Sequence, residues 1–288
     1  MRLDEFVSNS GPKLRGDYSR ARADFTLDQD LSAYTVEEHT LWRRLYERQM
    51  KLLPGYAFET YLEYLSGLEA GDSIPGFERV SQRLRRATGW EIVAVPGLIP
   101  DLAFFDHLAN RRFPVTVWLR KPEEFDYVVE PDVFHDFFGH VPLLFDGAYA
   151  DYLHAYGKGG LKAARLDALK MLARLYWYTV EFGLIRAPEG LRIFGAGILS
   201  SGGEVVHSID SQQPHRLAFD LERILRTDYR IDRYQDTYFV IESFERLVAD
   251  TAPDFTPIYK RLRELPPIAP DEAAPGDEIA PRPEHGLS

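Results

Sequence analysis

The chain has 288 residues, a formal net charge of −11 and no cysteine. This excludes a disulfide framework, a cysteine-ligated zinc or iron–sulfur centre and a thiol nucleophile, and it gives a nucleic-acid or anionic-membrane partner no electrostatic support. No apolar run approaches the roughly 18 residues of a membrane span, and residues 1–6 do not read as a basic-then-apolar leader, so the expectation is a cytoplasmic protein.

Residues 1–34 are polar, with Gly11-Pro12 early, and read as an N-terminal arm with little structure of its own. Thr35-Val36-Glu37-Glu38 is a capping box: the hydroxyl accepts from the backbone three residues on while Glu38 reaches back. It opens a helix through Leu41, Leu45 and Met50 that Pro54-Gly55 ends. A second helical pattern runs from Phe58 to Leu68, and a third starts at Pro75, with Gly89 past its end as a left-handed cap. Residues 90–95 predict a short strand, followed by the rigid loop Pro96-Gly97-Leu98-Ile99-Pro100 and a helix over 101–110. Val115, Val117 and Leu119 alternate as in a half-buried strand over 113–120.

Farther on, residues 147–156 predict a helix broken by Gly157-Lys158-Gly159-Gly160. Residues 166–184 hold the strongest helical pattern, with Leu169, Leu172, Ala173, Tyr176, Val180 and Leu184 on one face. A small-residue loop at 195–203 precedes a helix from Glu204. Helical patterns fill 217–225 and 238–248, with a strand at 229–233 between them. From Leu265 the chain turns to Pro, Ala, Asp and Glu, which predicts a disordered C-terminal tail over 265–288. No repeat or composition shift divides 35–264, so the fold class is mainly α: a single helical domain with a few short strands.

The chemistry concentrates in residues 130–142, where His135 and His140 stand five positions apart among Val, Phe and Leu. On a regular α-helix such residues diverge by about 140°, but Gly139 and Pro142 are placed to interrupt it. The spacing is not that of a zinc-protease helix, whose ligands lie four apart with a glutamate after the first; Asp136 stands there instead. Two histidines alone are readily explained as hydrogen-bonded core residues. Glu181 adds weight, because a carboxylate inside an apolar, aromatic run is costly unless paired or on a metal; a salt bridge to Arg174 is the alternative. Two imidazoles and one carboxylate fit the facial triad of a mononuclear Fe(II) site with open positions. A zinc hydrolase with two histidine ligands and one glutamate uses the same donors. Phe134, Phe137, Phe138, Tyr176, Trp177, Tyr178 and Phe182 suit an apolar or aromatic pocket, although aromatic residues at helical spacing are usually core.

Three motifs carry a resemblance: Glu130-Pro131-Asp132 with His135-Asp136 and Gly139-His140-Val141-Pro142; Tyr176-Trp177-Tyr178-Thr179-Val180-Glu181-Phe182-Gly183; and Gly195-Ala196-Gly197 with Leu199-Ser200-Ser201. In this order they closely resemble the pterin-dependent aromatic amino acid hydroxylases, colinearly over about residues 35–258. The resemblance implies the helical catalytic domain of that family, with Fe(II) and tetrahydrobiopterin or a related tetrahydropterin as cofactors. It implies hydroxylation of L-phenylalanine to L-tyrosine with O2, in phenylalanine catabolism; tyrosine or tryptophan as the substrate is the nearest alternative, and a non-catalytic binding module a more distant one. It makes His135, His140 and Glu181 the catalytic iron ligands. Gly97, Leu98, Ile99, Phe104, Ala173 and Tyr176 would border the pterin. Arg120 would clamp the substrate carboxylate, with Tyr127, Pro131, Trp177, Phe182, Gly197 and Ser200 around the amino acid. Animal members carry Thr where this chain has Val128, and their regulatory domain and tetramerisation helix have no counterpart, so a monomer is expected.

Overall fold

The computed structural model describes residues 14–280. Helix α1 (Val36–Leu52) starts at the predicted capping box, in which Thr35 Oγ1 accepts from Glu38 N at 3.1 Å and Glu38 Oε2 from Thr35 N at 2.8 Å. Helices α2 (Glu59–Gly67) and α3 (Phe77–Ala87) follow, and Gly89 takes a φ of +78° as a cap requires. Strand β1 (Glu91–Val95) and strand β2 (Arg112–Thr116) pair in parallel across helix α4 (Asp101–Ala109). The strand predicted to reach Arg120 stops at Thr116, whose N–H donates to the Asp136 carboxylate at 2.8 Å rather than to a neighbouring strand.

Helix α5 spans Gly147–Arg165 without the predicted break. Two of its glycines serve packing: a Cβ on Gly157 would lie 2.4 Å from the Ala109 nitrogen, and one on Gly160 2.0 Å from the Phe105 ring. The long helix predicted over 166–184 is instead two pieces. Asp167 adopts a positive φ of 51° before helix α6 (Leu169–Tyr176), and the last turn, Trp177–Glu181, winds as a π-helix.

Strands β3 (Leu184–Ala187) and β4 (Gly190–Ile193) form an antiparallel hairpin. The short helix α7 (Ala196–Leu199) occupies the small-residue loop, and α8 spans Glu204–Asp210. The two helices predicted over 217–225 and 238–248 each begin as a strand: β5 (His215–Ala218) precedes helix α9 (Leu221–Arg226), and β6 (Thr237–Ile241) precedes helix α10 (Phe244–Thr251). All five residues of β6 are buried, so the run shows no period-two alternation and reads like a buried helix. Residues 229–233 form no strand, contrary to expectation; 231–233 are bends. The sheet order is β4-β3-β6-β5, with β3 and β5 each parallel to β6, and helix α11 (Thr256–Leu262) follows.

The expected arm and tail both depart from expectation over their described residues. Tyr18 and Phe25 are buried and Leu27 bridges Ala94 of β1. Ile268 and Ala280 are buried, Ile268 bridges Thr227, and Ile279 bridges Leu217. Buried Arg223 on α9 draws the tail in: its Nε and Nη2 donate to Asp277 at 2.8 and 3.3 Å and Nη2 to the Glu272 carbonyl at 2.6 Å. At the other side of the sheet, Phe58 N and Ile193 N bond the carbonyls of Ile193 and Tyr56.

Candidate metal centre

The five-residue spacing of the two histidines is accommodated by backbone winding. Residues Phe134–His140 form a π-helix, whose i→i+5 bonding stacks a residue over its fifth predecessor. The two rings meet 5.1 Å apart at 83°. Asp132 starts the turn, its Oδ1 accepting from His135 N at 3.0 Å. Gly139 lets α7 approach: a Cβ there would stand 2.9 Å from both the Cβ and the carbonyl oxygen of Ala196. Phe134, Phe137 and Phe138, expected as pocket lining, are fully buried and pack against Trp42, Phe77 and Tyr61. Tyr178 is likewise core, its hydroxyl bonded to the Asp228 carbonyl at 2.7 Å.

The third donor comes from the second π turn, closed by Phe182 N donating to the Trp177 carbonyl five residues back at 2.9 Å. Glu181 Oε2 lies 3.5 Å from His135 Nε2, Glu181 Oε1 lies 3.3 Å from His140 Nε2, and the two Nε2 atoms are 3.3 Å apart. Donors bonded to one ion at about 2.1 Å are separated by roughly 3.0–3.5 Å, so this triangle fits a single metal. Among the described residues it is the one such group of His, Cys, Asp or Glu donors. Arg174 is not the partner of Glu181; it pairs with Asp228 and the Leu225 carbonyl.

Protonation states suit a cation. Burial lowers the His135 pKa, outweighing the pull of Glu181. Burial alone would raise Glu181, yet the adjacent His140 and His135 bring it below its ordinary value. Ser200 Oγ donates to the Ala196 carbonyl at 2.8 Å, so at 2.9 Å from His135 Nδ1 it accepts. That bond places the imidazole proton on Nδ1 and turns the Nε2 lone pair to the centre. Ser200, expected along the amino acid pocket, thus spends its hydroxyl on a candidate ligand.

Arg120 and Asp132 form a buried bidentate pair, Nε to Oδ2 at 2.8 Å and Nη2 to Oδ1 at 2.9 Å. Burial would raise Asp132, but Arg120 holds it below the usual carboxylate range. One edge of the guanidinium is therefore engaged, while Nη1 and the second Nη2 proton remain for another acceptor. Sequence reasoning missed Asp132. Its signal was present, an acidic residue three before His135 at the start of a helical turn.

The remaining candidates fall in two groups. Phe104 on α4 meets the Tyr176 ring edge-on at 5.6 Å, and Tyr176 lies 6.3 Å from the His140 ring, with Ala173 one turn earlier on α6. Gly97 has a φ of 152°, which only glycine adopts readily; it sets a loop in which Leu98 is half exposed and its carbonyl accepts from Tyr18 at 2.7 Å. Ile99 follows, partly buried. On the other side, the rings of Trp177 and Phe182 are 4.6 Å apart and Gly197 packs on Phe182. Pro131 is partly buried beside Asp132. Tyr127 is not gathered with the donors: it is exposed, and its hydroxyl bonds the Ile231 carbonyl at 3.2 Å.

The sequence profile described as biopterin-dependent aromatic amino acid hydroxylase matches residues 14–261. The chain is similar to the phenylalanine-4-hydroxylase of Chromobacterium violaceum, 60% identical over 257 residues that cover 89% of this chain and 86% of that one. It is also similar to that of Ralstonia nicotianae, 58% identical over 259 residues, or 90% and 83% of the two chains. The iron- and phenylalanine-bound crystal structure of the C. violaceum enzyme aligns with a TM-score of 0.87 at 55% identity, covering 95% of this chain and 98% of that one.

Proposed function

Because this chain belongs to the biopterin-dependent aromatic amino acid hydroxylase family, we propose that it is a phenylalanine 4-monooxygenase, converting L-phenylalanine to L-tyrosine with O2, Fe(II) and a tetrahydropterin. The observation that carries this reading is the convergence of His135, His140 and Glu181 on one point. Two imidazoles and a carboxylate grouped on one side of an ion leave its other positions to exogenous ligands. When bound, iron and reduced pterin supply the activation of O2 and the electrons that reduce the oxygen atom not placed on the ring.

The protein's own share is binding, orientation and exclusion of water. His135, His140 and Glu181 hold the ion, and Ser200 keeps Nε2 of His135 unprotonated toward it. Arg120, braced by Asp132, offers its remaining N–H groups to the substrate carboxylate, a contact suited to a planar fork. Pro131, Trp177, Phe182 and Gly197 give the substrate ring an apolar wall, and Tyr127 ties the neighbouring segment to Ile231. Gly97, Leu98 and Ile99 present backbone groups to the pterin, and Phe104, Ala173 and Tyr176 bound it on the ring side.

Purified protein given Fe(II), phenylalanine, O2 and tetrahydropterin is expected to form tyrosine. Failure to form tyrosine, or faster turnover of tryptophan or tyrosine than of phenylalanine, would overturn the reading. Cytoplasmic action as a monomer belongs to the same proposal; the compartment is supported by the absence of cysteine, which suits a reducing one. Light scattering of the purified chain tests the monomer.

A further inference from the structure

The proposed wall residue Trp177 is held from behind by a side chain that no other part of the site uses. Its Nε1 donates to Gln235 Oε1 at 2.9 Å, and its ring stacks on Tyr229 at 4.2 Å and 14°. Gln235 is 3% exposed and engaged at every polar group. Its Nε2 donates to the carbonyls of Arg230 at 3.0 Å and Arg233 at 3.4 Å, and its carbonyl meets His207 Nε2 at 3.2 Å. Its backbone N–H donates to Glu204 Oε1 at 3.0 Å, and the same oxygen accepts from Tyr238 on β6 at 2.7 Å. The glutamine is thereby anchored to the sheet.

Residue type follows from this geometry. An indole N–H only donates and a backbone carbonyl only accepts, so the side chain between them must accept at one end and donate at the other. At this length glutamine does so; glutamate, methionine and leucine do not. The bond to Trp177 is made at the indole edge. The backbone of the π turn that delivers Glu181 closes separately, through Phe182 N and the Trp177 carbonyl, and Thr179 is held by Leu175 and Tyr152. Losing the glutamine would release the indole N–H and leave the ring free to slide on Tyr229, without removing any of these bonds.

We propose that Gln235 is a positioning residue that determines specificity: by fixing the indole of Trp177 it sets the shape of the aromatic pocket and hence the preference for phenylalanine over tryptophan. This rests on the hydroxylase reading. Turnover of phenylalanine by the unmodified protein tests that reading, while the variants relative to it test Gln235.

In iron-loaded protein, Gln235→Met is expected to raise KM for phenylalanine about ten-fold, the scale of one buried donor left unpaired, with kcat changed less than about two-fold and iron content unchanged. The phenylalanine-to-tryptophan ratio of kcat/KM should fall by a similar factor, and the indole N–H resonance assigned by its loss in Trp177→Phe should move. Trp177→Phe should add little to Gln235→Met, since the two act as one unit. Should Gln235→Met not fold, Gln235→Asn, which withdraws the amide by one methylene, is expected to change KM and the ratio in the same direction. Unchanged KM and substrate ratio with only a lower Tm would overturn the proposal. So would loss of iron in parallel with activity, or additive effects of the two substitutions.

Discussion

Glu181 is 14% exposed and its nearest titratable neighbours are the two candidate ligand imidazoles, with Arg174 turned to Asp228. A carboxylate so placed has lost much of its hydration and recovers it only from a cation. Replacing Glu181 by Ala is therefore expected to weaken iron binding more than about 100-fold, beyond the roughly 10–100-fold of a group acting on a ligand. Ser200→Ala should fall within that lower range, because it releases the His135 tautomer while leaving all three donors; metal analysis after dialysis against a chelator separates the two. Glu204 provides a pH-dependent case. Burial pushes its carboxyl up to about 7 against the pull of the Gln235 amide and the Tyr238 hydroxyl. The folded state then holds a proton that the unfolded chain releases near 4.5, so this group lowers stability as pH rises from about 4.5 to 7, with no further loss above. The linkage amounts to roughly 3 kcal/mol. Urea melts across that range should show a shallower decline in Glu204→Gln. The candidate ligands were legible because a carboxylate in an apolar run is costly and because three motifs in order carried the family resemblance. Asp132 escaped because, although its cap on His135 is local, its bracing of Arg120 appears only once residues 120 and 132 meet in space.

Elements diverge from the sequence reading where tertiary packing outweighs local preference. Glycines at 157, 159 and 160 look like a helix break, yet α5 runs through them because α4 lies too close for side chains at 157 and 160. The three are not equivalent. An added Cβ at Gly157 meets backbone at 2.4 Å, whereas one at Gly159 meets nothing within 4 Å. Gly159→Ala should thus stabilise by up to about 1 kcal/mol through helix propensity. Gly157→Ala gains the same but incurs overpacking of about 3 kcal/mol at a contact that cannot yield, for a net loss of about 2 kcal/mol. Thermal melts of the pair, with opposite signs of ΔTm, check the argument. The π turns were half legible: the 140° problem showed that an ordinary helix could not unite His135 and His140, but not which winding would. Strand β6 was hidden because a fully buried parallel strand loses its alternation, and β5, with only its two middle residues buried, is too short to show one.

At the scale of the molecule, composition predicted a tail unable to order itself, and over residues 265–280 the outcome is otherwise. Ile268 and Ala280 are buried there although Leu265 and Ile279 stay exposed, and one acid, Asp277, meets a guanidinium already buried on α9. Truncation after Glu264 should cost roughly 2 kcal/mol in denaturant melts, below the 3–5 kcal/mol of an orphaned buried charge because water then reaches Arg223. The site lies elsewhere, so iron content is expected to persist at temperatures below the lowered midpoint. The same tail bears on how copies of the chain meet one another. The outer strands of the mixed sheet, β4 and β5, are each capped by a short extended stretch, residues 56–58 on one margin and 278–280 on the other. Proteolytic trimming of the last residues would uncover the β5 margin and its unpaired amides, a template for strand addition between molecules. Clumping of clipped preparations would then begin there, while the candidate metal centre was still folded.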